Sequence, residues 1–201
     1  MAKPRSILVT GGFGFLGSHL VERLLEDDAR VHVIDDLSAS ALDVRTFAHA
    51  RGDRLTYDTA TVADYADRIL SGREEDRRRS AFDEIYHLAS VVGPVGVLQH
   101  AGTIVRGVVN DACRMMELAL HDGARLCDVS TSEVYGGGRG GACSESDPRL
   151  ISATVTARLE YAVAKLAAET AIINTCQMRD LWAVVIRPFN VAGPRQSEIG
   201  G

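Results

Sequence analysis

Two rhythms of hydrophobic and polar residues alternate along the chain. Short runs rich in aliphatic, β-branched and aromatic residues recur at 7–10, 31–35, 55–58, 84–88, 126–130 and 183–187. Runs of this kind read as strands buried on both faces of a parallel sheet. Between them, apolar residues return every three or four positions, as Leu16, Leu20 and Leu24 do while Glu22, Arg23 and Glu26 fall elsewhere. That spacing predicts helices over 14–28, about 42–50, about 63–71, about 104–122 and about 158–178. Strand and helix in strict alternation predict one α/β domain over residues 1–201, with a doubly wound parallel sheet.

The first strand runs into Thr10-Gly11-Gly12-Phe13-Gly14-Phe15-Leu16-Gly17, and the second ends on Asp35-Asp36. The glycines fit G-x-G-x-x-G from Gly12 and G-x-x-G-x-x-G from Gly11. A glycine-rich turn alone is weak. Strand, turn, helix, strand and acid in this order read as a dinucleotide-binding unit of Rossmann type. The backbone must turn tightly, approach a pyrophosphate and let the helix pack on the sheet. The helix N-terminus then offers free N–H groups to the phosphates. Asp35 can accept hydrogen bonds from ribose hydroxyls, and its charge would repel a 2′-phosphate. The expected cofactor is therefore NAD rather than NADP.

Composition narrows the class. Of 201 residues, 46% are hydrophobic and 24% charged, an ordinary globular balance. A net charge of −5 speaks against non-specific nucleic-acid binding. No apolar run is long enough to span a bilayer, and the N-terminus carries no signal-peptide pattern. Cys113, Cys127, Cys143 and Cys176 lack metal-ligand spacing and suit a reducing compartment. The expectation is a cytoplasmic protein with no metal and no membrane partner. The charge run at 73–79 reads as a solvated segment. The glycine-rich stretch at 136–141 follows the fifth strand's carboxyl end, where a mobile lid would sit.

Three segments carry candidate chemistry. Tyr161 and Lys165 stand four apart in a helical stretch, so both can face one cleft. A nearby ammonium favours phenolate, which would make Tyr161 a general base. The plainer reading is a half-buried tyrosine and a surface lysine. Thr131 and Glu133, in Ser130-Thr131-Ser132-Glu133-Val134-Tyr135-Gly136, offer a hydroxyl and a carboxylate at the fifth strand's end. Here the plainer reading is a turn whose side chains bond backbone groups. After the sixth strand, Arg187-Pro188-Phe189-Asn190 leads to Arg195-Gln196, where Asn190 and Arg195 can meet phosphates or nucleotide groups.

In this order these motifs resemble the extended short-chain dehydrogenase/reductase family, specifically its NAD-dependent epimerase/dehydratase group acting on nucleotide sugars. The resemblance runs from Ile7 to about Gln196. It implies a catalytic set of Thr131, Tyr161 and Lys165, with Glu133 handling protons. It implies cofactor contacts at Gly11, Gly14, Phe15, Leu16, Gly17, Asp35, Asp36, Leu88, Ala89, Ser90 and Pro188, and at Tyr161 and Lys165. The acid beside the adenine falls at Asp58 or Thr59. Substrate contacts fall at Ser132, Asn190 and Arg195. Within the group, Thr131-Ser132-Glu133 is most like the UDP-glucuronate decarboxylases. A UDP-sugar 4-epimerase, a 4,6-dehydratase and an NAD-binding module without chemistry are the alternatives. The resemblance also implies a homodimer, through the helices at 104–122 and 158–178. Two departures stand out. Val108 occupies the place of a customary Asn, with Asn110 two residues late. The family also continues for more than a hundred further residues, so most of its small substrate domain is expected to be missing here.

Overall fold

A computed structural model describes residues 3–40, 42–72, 81–91, 93–136 and 141–196. Six parallel strands form one sheet: β1 (Ser6–Thr10), β2 (Arg30–Asp35), β3 (Leu55–Thr59), β4 (Glu84–His87), β5 (Arg125–Val129) and β6 (Ala183–Ile186). Their order is β3-β2-β1-β4-β5-β6. The helices are α1 (Phe15–Glu26), α2 (Val44–His49), α3 (Val62–Leu70), α4 (Gly93–Gln99), α5 (Ile104–Asp122) and α6 (Ala157–Met178).

The period of two within each strand sorts side chains onto two cores. Ile7, Val9, Val31 and Val33 face Val21, Leu24 and Phe47 of α1 and α2. Leu8, Ile34, Ile85 and Leu126 face the opposite way, against Tyr65, Met115, Leu118 and Ile172 of α3, α5 and α6. A smaller cluster of Val97, Ile104, Val108 and Ala112 with Ala164 and Ala168 joins α4, α5 and α6. Each residue buried from both sides carries about 1.5–3 kcal/mol of hydrophobic stabilisation.

The strands start and stop within one residue of the ranges read from the sequence. Helix α4 was not expected there, because Gly93-Pro94-Val95-Gly96 reads as a breaker. Tertiary packing overrides that weak propensity, with Val97 buried against α5 and α6. Residues 73–79 and 137–140, which carry the charge run and most of the expected lid, lie outside the described residues. Among the described residues no helix is long and apolar enough to cross a membrane.

Two consequences matter for function. Chain order reverses between β1 and β4, so a crevice opens at their carboxyl ends. At the far edge, among the described residues, β6 pairs on one side only and leaves Trp182, Val184 and Ile186 exposed.

Candidate cofactor and active site

The turn after β1 is shaped by contacts that only glycine allows. Gly11 has φ +69°, and a Cβ there would lie 2.8 Å from the amide nitrogen of Ala89. At Gly17 a Cβ would come within 2.0 Å of the Gly11 carbonyl oxygen, so α1 packs directly onto the turn. Asp35 closes the turn from the other side. Its carboxylate accepts from the amides of Phe13 and Leu37, each at 2.9 Å. Burial pushes this carboxyl up, the two amides pull it down, and neighbouring Asp36 adds to the rise. Asp36 itself is exposed and accepts from the amide and hydroxyl of Ser38.

Helix ends distinguish α1 from its neighbours. Asp43, Thr61 and Thr156 cap α2, α3 and α6 through side-chain oxygens. The first amides of α5 are taken by Glu160 of α6, at 3.0 Å for Ile104 and 3.4 Å for Val105. Helix α1 begins after Gly14 with no side-chain cap among the described residues. Its free N–H groups and positive dipole end face the crevice, as a pyrophosphate requires. Together with the turn and Asp35, this donor set fits NAD.

Other expected cofactor residues divide. The amide of Leu88 donates to the Thr10 carbonyl at 3.1 Å and that of Ala89 to the Thr10 hydroxyl at 3.2 Å, so the 88–90 segment lies against the glycine turn. Asp58 is engaged instead by the Arg68 guanidinium of α3, with His32 at 3.8 Å. Thr59 is level with Asp35 across the ladder, at the open end of β3. Of the two, Thr59 stands nearer the crevice, since strand alternation turns Asp58 towards α3. Phe15 opens α1, and Gly193 packs against its ring.

The catalytic end is assembled from β5 and α6. Thr131 is nearly buried, and its hydroxyl accepts from the amide of Glu133 at 3.2 Å, starting a short 3-10 turn over Ser132–Tyr135. The Tyr161 phenol lies near the hydroxyls of Thr131 and Ser90, which pull its pKa down. Burial is the largest influence on it and pushes it up to about 12, against the pull of those two hydroxyls. The expectation that Lys165 lowers this phenol is not met in the free chain. Lys165 is buried, and its Nζ donates to the Val129 carbonyl at 2.8 Å. Desolvation outweighs any help from that ammonium.

The loop after β6 closes over the crevice. The Pro188 carbonyl accepts from the Ser132 amide at 3.1 Å, and Asn190 is exposed. Arg195, expected to meet substrate, is bound to α1. Its guanidinium pairs with Glu22 at 2.6 Å and contacts His19, and its backbone sits at φ +68°. In this arrangement Arg195 ties the loop to α1.

Sequence reasoning passed over two charged neighbours. Arg158, three residues before Tyr161, grips both oxygens of Glu133. Asp111 lines a cavity of about 230 Å³ with Ser90, Thr103 and Arg106. Burial pushes its carboxyl up to about 6, Lys165 opposes that and Asp36 adds to it. Arg158 was findable, one helical turn before the tyrosine. Asp111 was not, because its setting depends on how α5 lies across the sheet.

Comparisons with known proteins identify a family for the chain. The sequence model of the NAD dependent epimerase/dehydratase family covers residues 7–200. The chain is 28% identical over 191 residues to the UDP-N-acetyl-alpha-D-glucosaminuronate decarboxylase of Bacillus cytotoxicus, covering 95% of this chain and 56% of the relative. It is 31% identical to UDP-glucose 4-epimerase 4 of Oryza sativa subsp. japonica, covering 96% and 51%. Among solved structures, a UDP-glucose 4-epimerase of Thermus thermophilus in complex with NAD superposes with a TM-score of 0.77 at 26% identity, covering 97% and 58%. The chain thus spans little more than half the length of the relatives it matches.

Proposed function

The chain belongs to the NAD dependent epimerase/dehydratase family, and on that premise we propose that it carries the cofactor-binding and catalytic groups of a UDP-sugar acid decarboxylase. The observation that supports this most is the group of four side chains around one phenol. Tyr161 lies near the hydroxyls of Thr131 and Ser90, and Glu133 beside it is paired with Arg158. Decarboxylases among the relatives at 28–30% identity agree with that chemistry.

Each residue has a role in the proposed sequence. Thr131 and Ser90 orient Tyr161, which takes the proton of the sugar 4-hydroxyl. Bound NAD would supply the hydride acceptor for C4 and return the same hydride at the end of turnover. Lys165 steadies the ribose beside Tyr161. Once C4 is a ketone, the C6 carboxylate lies β to it. The C5–C6 bond then breaks, CO₂ departs, and the electron pair is held as an enolate at the C4 oxygen. Glu133 handles the proton that C5 takes up. Arg158 offers a guanidinium to an anionic sugar. Tyr161 finally gives its proton back to the 4-oxygen.

The test gives the protein UDP-glucuronate and NAD. Release of CO₂ with a pentose nucleotide and no net NADH is expected, and Tyr161→Phe should lower kcat by at least about a thousandfold. A 4-epimerised hexuronate without CO₂ would select the second reading, a UDP-sugar 4-epimerase, which the 31% identity to the rice epimerase favours. Undiminished turnover in Tyr161→Phe would remove both.

A further inference from the structure

Lys165 is one of only two lysines in the chain, the other being Lys3, while every other basic side chain of the Lys/Arg type is arginine. It is 3% exposed, and one carbonyl, that of Val129, accepts from its Nζ. An ammonium so placed loses its proton unless a counter-charge holds it. The groups that face it come from four elements. Glu169 follows one turn later on α6, but Arg187 holds it through two bonds, of 2.8 and 2.7 Å, and Ser130 donates to it as well. His87 of β4 is buried, with its Nδ1 at 2.7 Å from the Thr10 hydroxyl, and is pushed down to about 3, so it is neutral. Tyr161 is half-buried beside the hydroxyls of Thr131 and Ser90. Asp111 faces from α5 and is partly exposed. Asp128 faces from β5, one residue before the carbonyl that receives Nζ.

Asp128 is the unusual member. It is 2% exposed, and its Oδ2 is buried without a hydrogen-bond partner among the described residues. Strand alternation puts it on the same face as Leu126, a core position. A lone carboxylate there is expensive unless a cation answers it. Arg187 is committed to Glu169, and among the described residues Lys165 is the cation that acts on Asp128 from this face.

We propose that Asp128 is a positioning residue: it is the buried counter-charge that keeps Lys165 an ammonium, and it acts on the site through Lys165. The consequence for turnover rests on the function proposed above, whereas the charge state of Lys165 does not. Two further observations agree. Burial drives the Lys165 amine down, and Asp128 is the strongest of the three charges opposing that, ahead of Asp111 and Glu169. Burial drives the Asp128 carboxyl up, and Lys165 is the charge that opposes it.

The scarcity of lysine makes the test direct. With ¹³C- and ¹⁵N-labelled lysine, the folded chain gives two side-chain NMR signals, and Lys165→Met identifies one by its loss. Lys165 is expected at ammonium shifts at neutral pH, titrating below the ordinary lysine range. In Asp128→Asn its midpoint should fall by at least about one pH unit, with Lys3 unmoved and a smaller fall in Asp111→Asn. An unchanged midpoint in Asp128→Asn, or amine shifts at pH 7 in the unsubstituted chain, would overturn the proposal. A merely structural Asp128 would alter melting without moving that signal. Should Asp128→Asn not fold, Lys165→Met is compared with the Asp128→Leu/Lys165→Met double variant. The double variant should melt higher, because no orphaned carboxylate remains; one that melts no higher would overturn the pairing. Neither cofactor nor substrate is present, so this outcome is independent of the decarboxylase reading.

Discussion

At Asp111 the cost of placing a carboxylate in the crevice wall becomes a pH dependence. Its folded pKa of about 6 lies above the ordinary 3.8, because burial penalises the charge. The folded chain therefore holds this proton more tightly than the unfolded one. The resulting stability is complete below about pH 3.8 and is lost as pH rises through 6. Asp111→Asn removes the penalty. It should stabilise the fold by roughly 1–2 kcal/mol above pH 7, after allowance for partial exposure, and by nothing near pH 3.5. Urea melts at the two pH values decide this; equal differences would refute it. His87 has the opposite sign, since its stability is present above 6.5 and is lost as pH falls towards 3. It is common to both chains and cancels in the comparison. Single residues were also where the sequence was least legible. Tyr161, Lys165, Thr131 and Glu133 stood out by type and spacing. The engagement of Arg195 with Glu22 and of Asp58 with Arg68 did not, because each depends on a partner brought close only by the fold.

The unit of β1, α1 and β2 acts as one element in binding. A strained turn, an uncapped helix end and a strand-end carboxylate converge there, and none suffices alone. Because one oxygen of Asp35 is held by the turn at Phe13 and the other by the Leu37 amide, its position is fixed and its charge cannot swing aside. NAD should therefore bind at least about tenfold more tightly than NADP, whose 2′-phosphate meets that charge. Calorimetric titration with both nucleotides checks this, and equal or tighter NADP binding would count against it. Strands and long helices were legible because a buried parallel sheet needs nearly continuous apolar runs and the layers over it need a period of 3.6. Helix α4 was not, for it owes its form to Val97 meeting α5 and α6 rather than to its own residues.

At the scale of the whole molecule, α6 carries small or apolar residues on every side, from Ala162, Val163 and Ala164 through Ala171, Ile172 and Ile173. A helix of that composition suits burial all round. Yet Ile173 is 43% exposed, and Val105 on neighbouring α5 is 39% exposed. A homodimer through these two helices is the expected assembly. Sedimentation velocity at micromolar concentration should show it, and Ile173→Lys should shift it towards monomer. A well-folded monomer of the unsubstituted chain would refute it. The sealed ammonium has a use beyond chemistry. An endoprotease that cuts only after lysine finds two bonds, Lys3–Pro4, where the proline hinders cleavage, and one that α6 hides behind Lys165. The second cleavage requires α6 to leave the sheet, so with fast reclosing its rate reports how often the chain opens. Any molecule that seats only on the closed form slows that cut in proportion to its occupancy. The chain thus carries its own gauge of ligation, read on a gel as the survival of a single peptide bond.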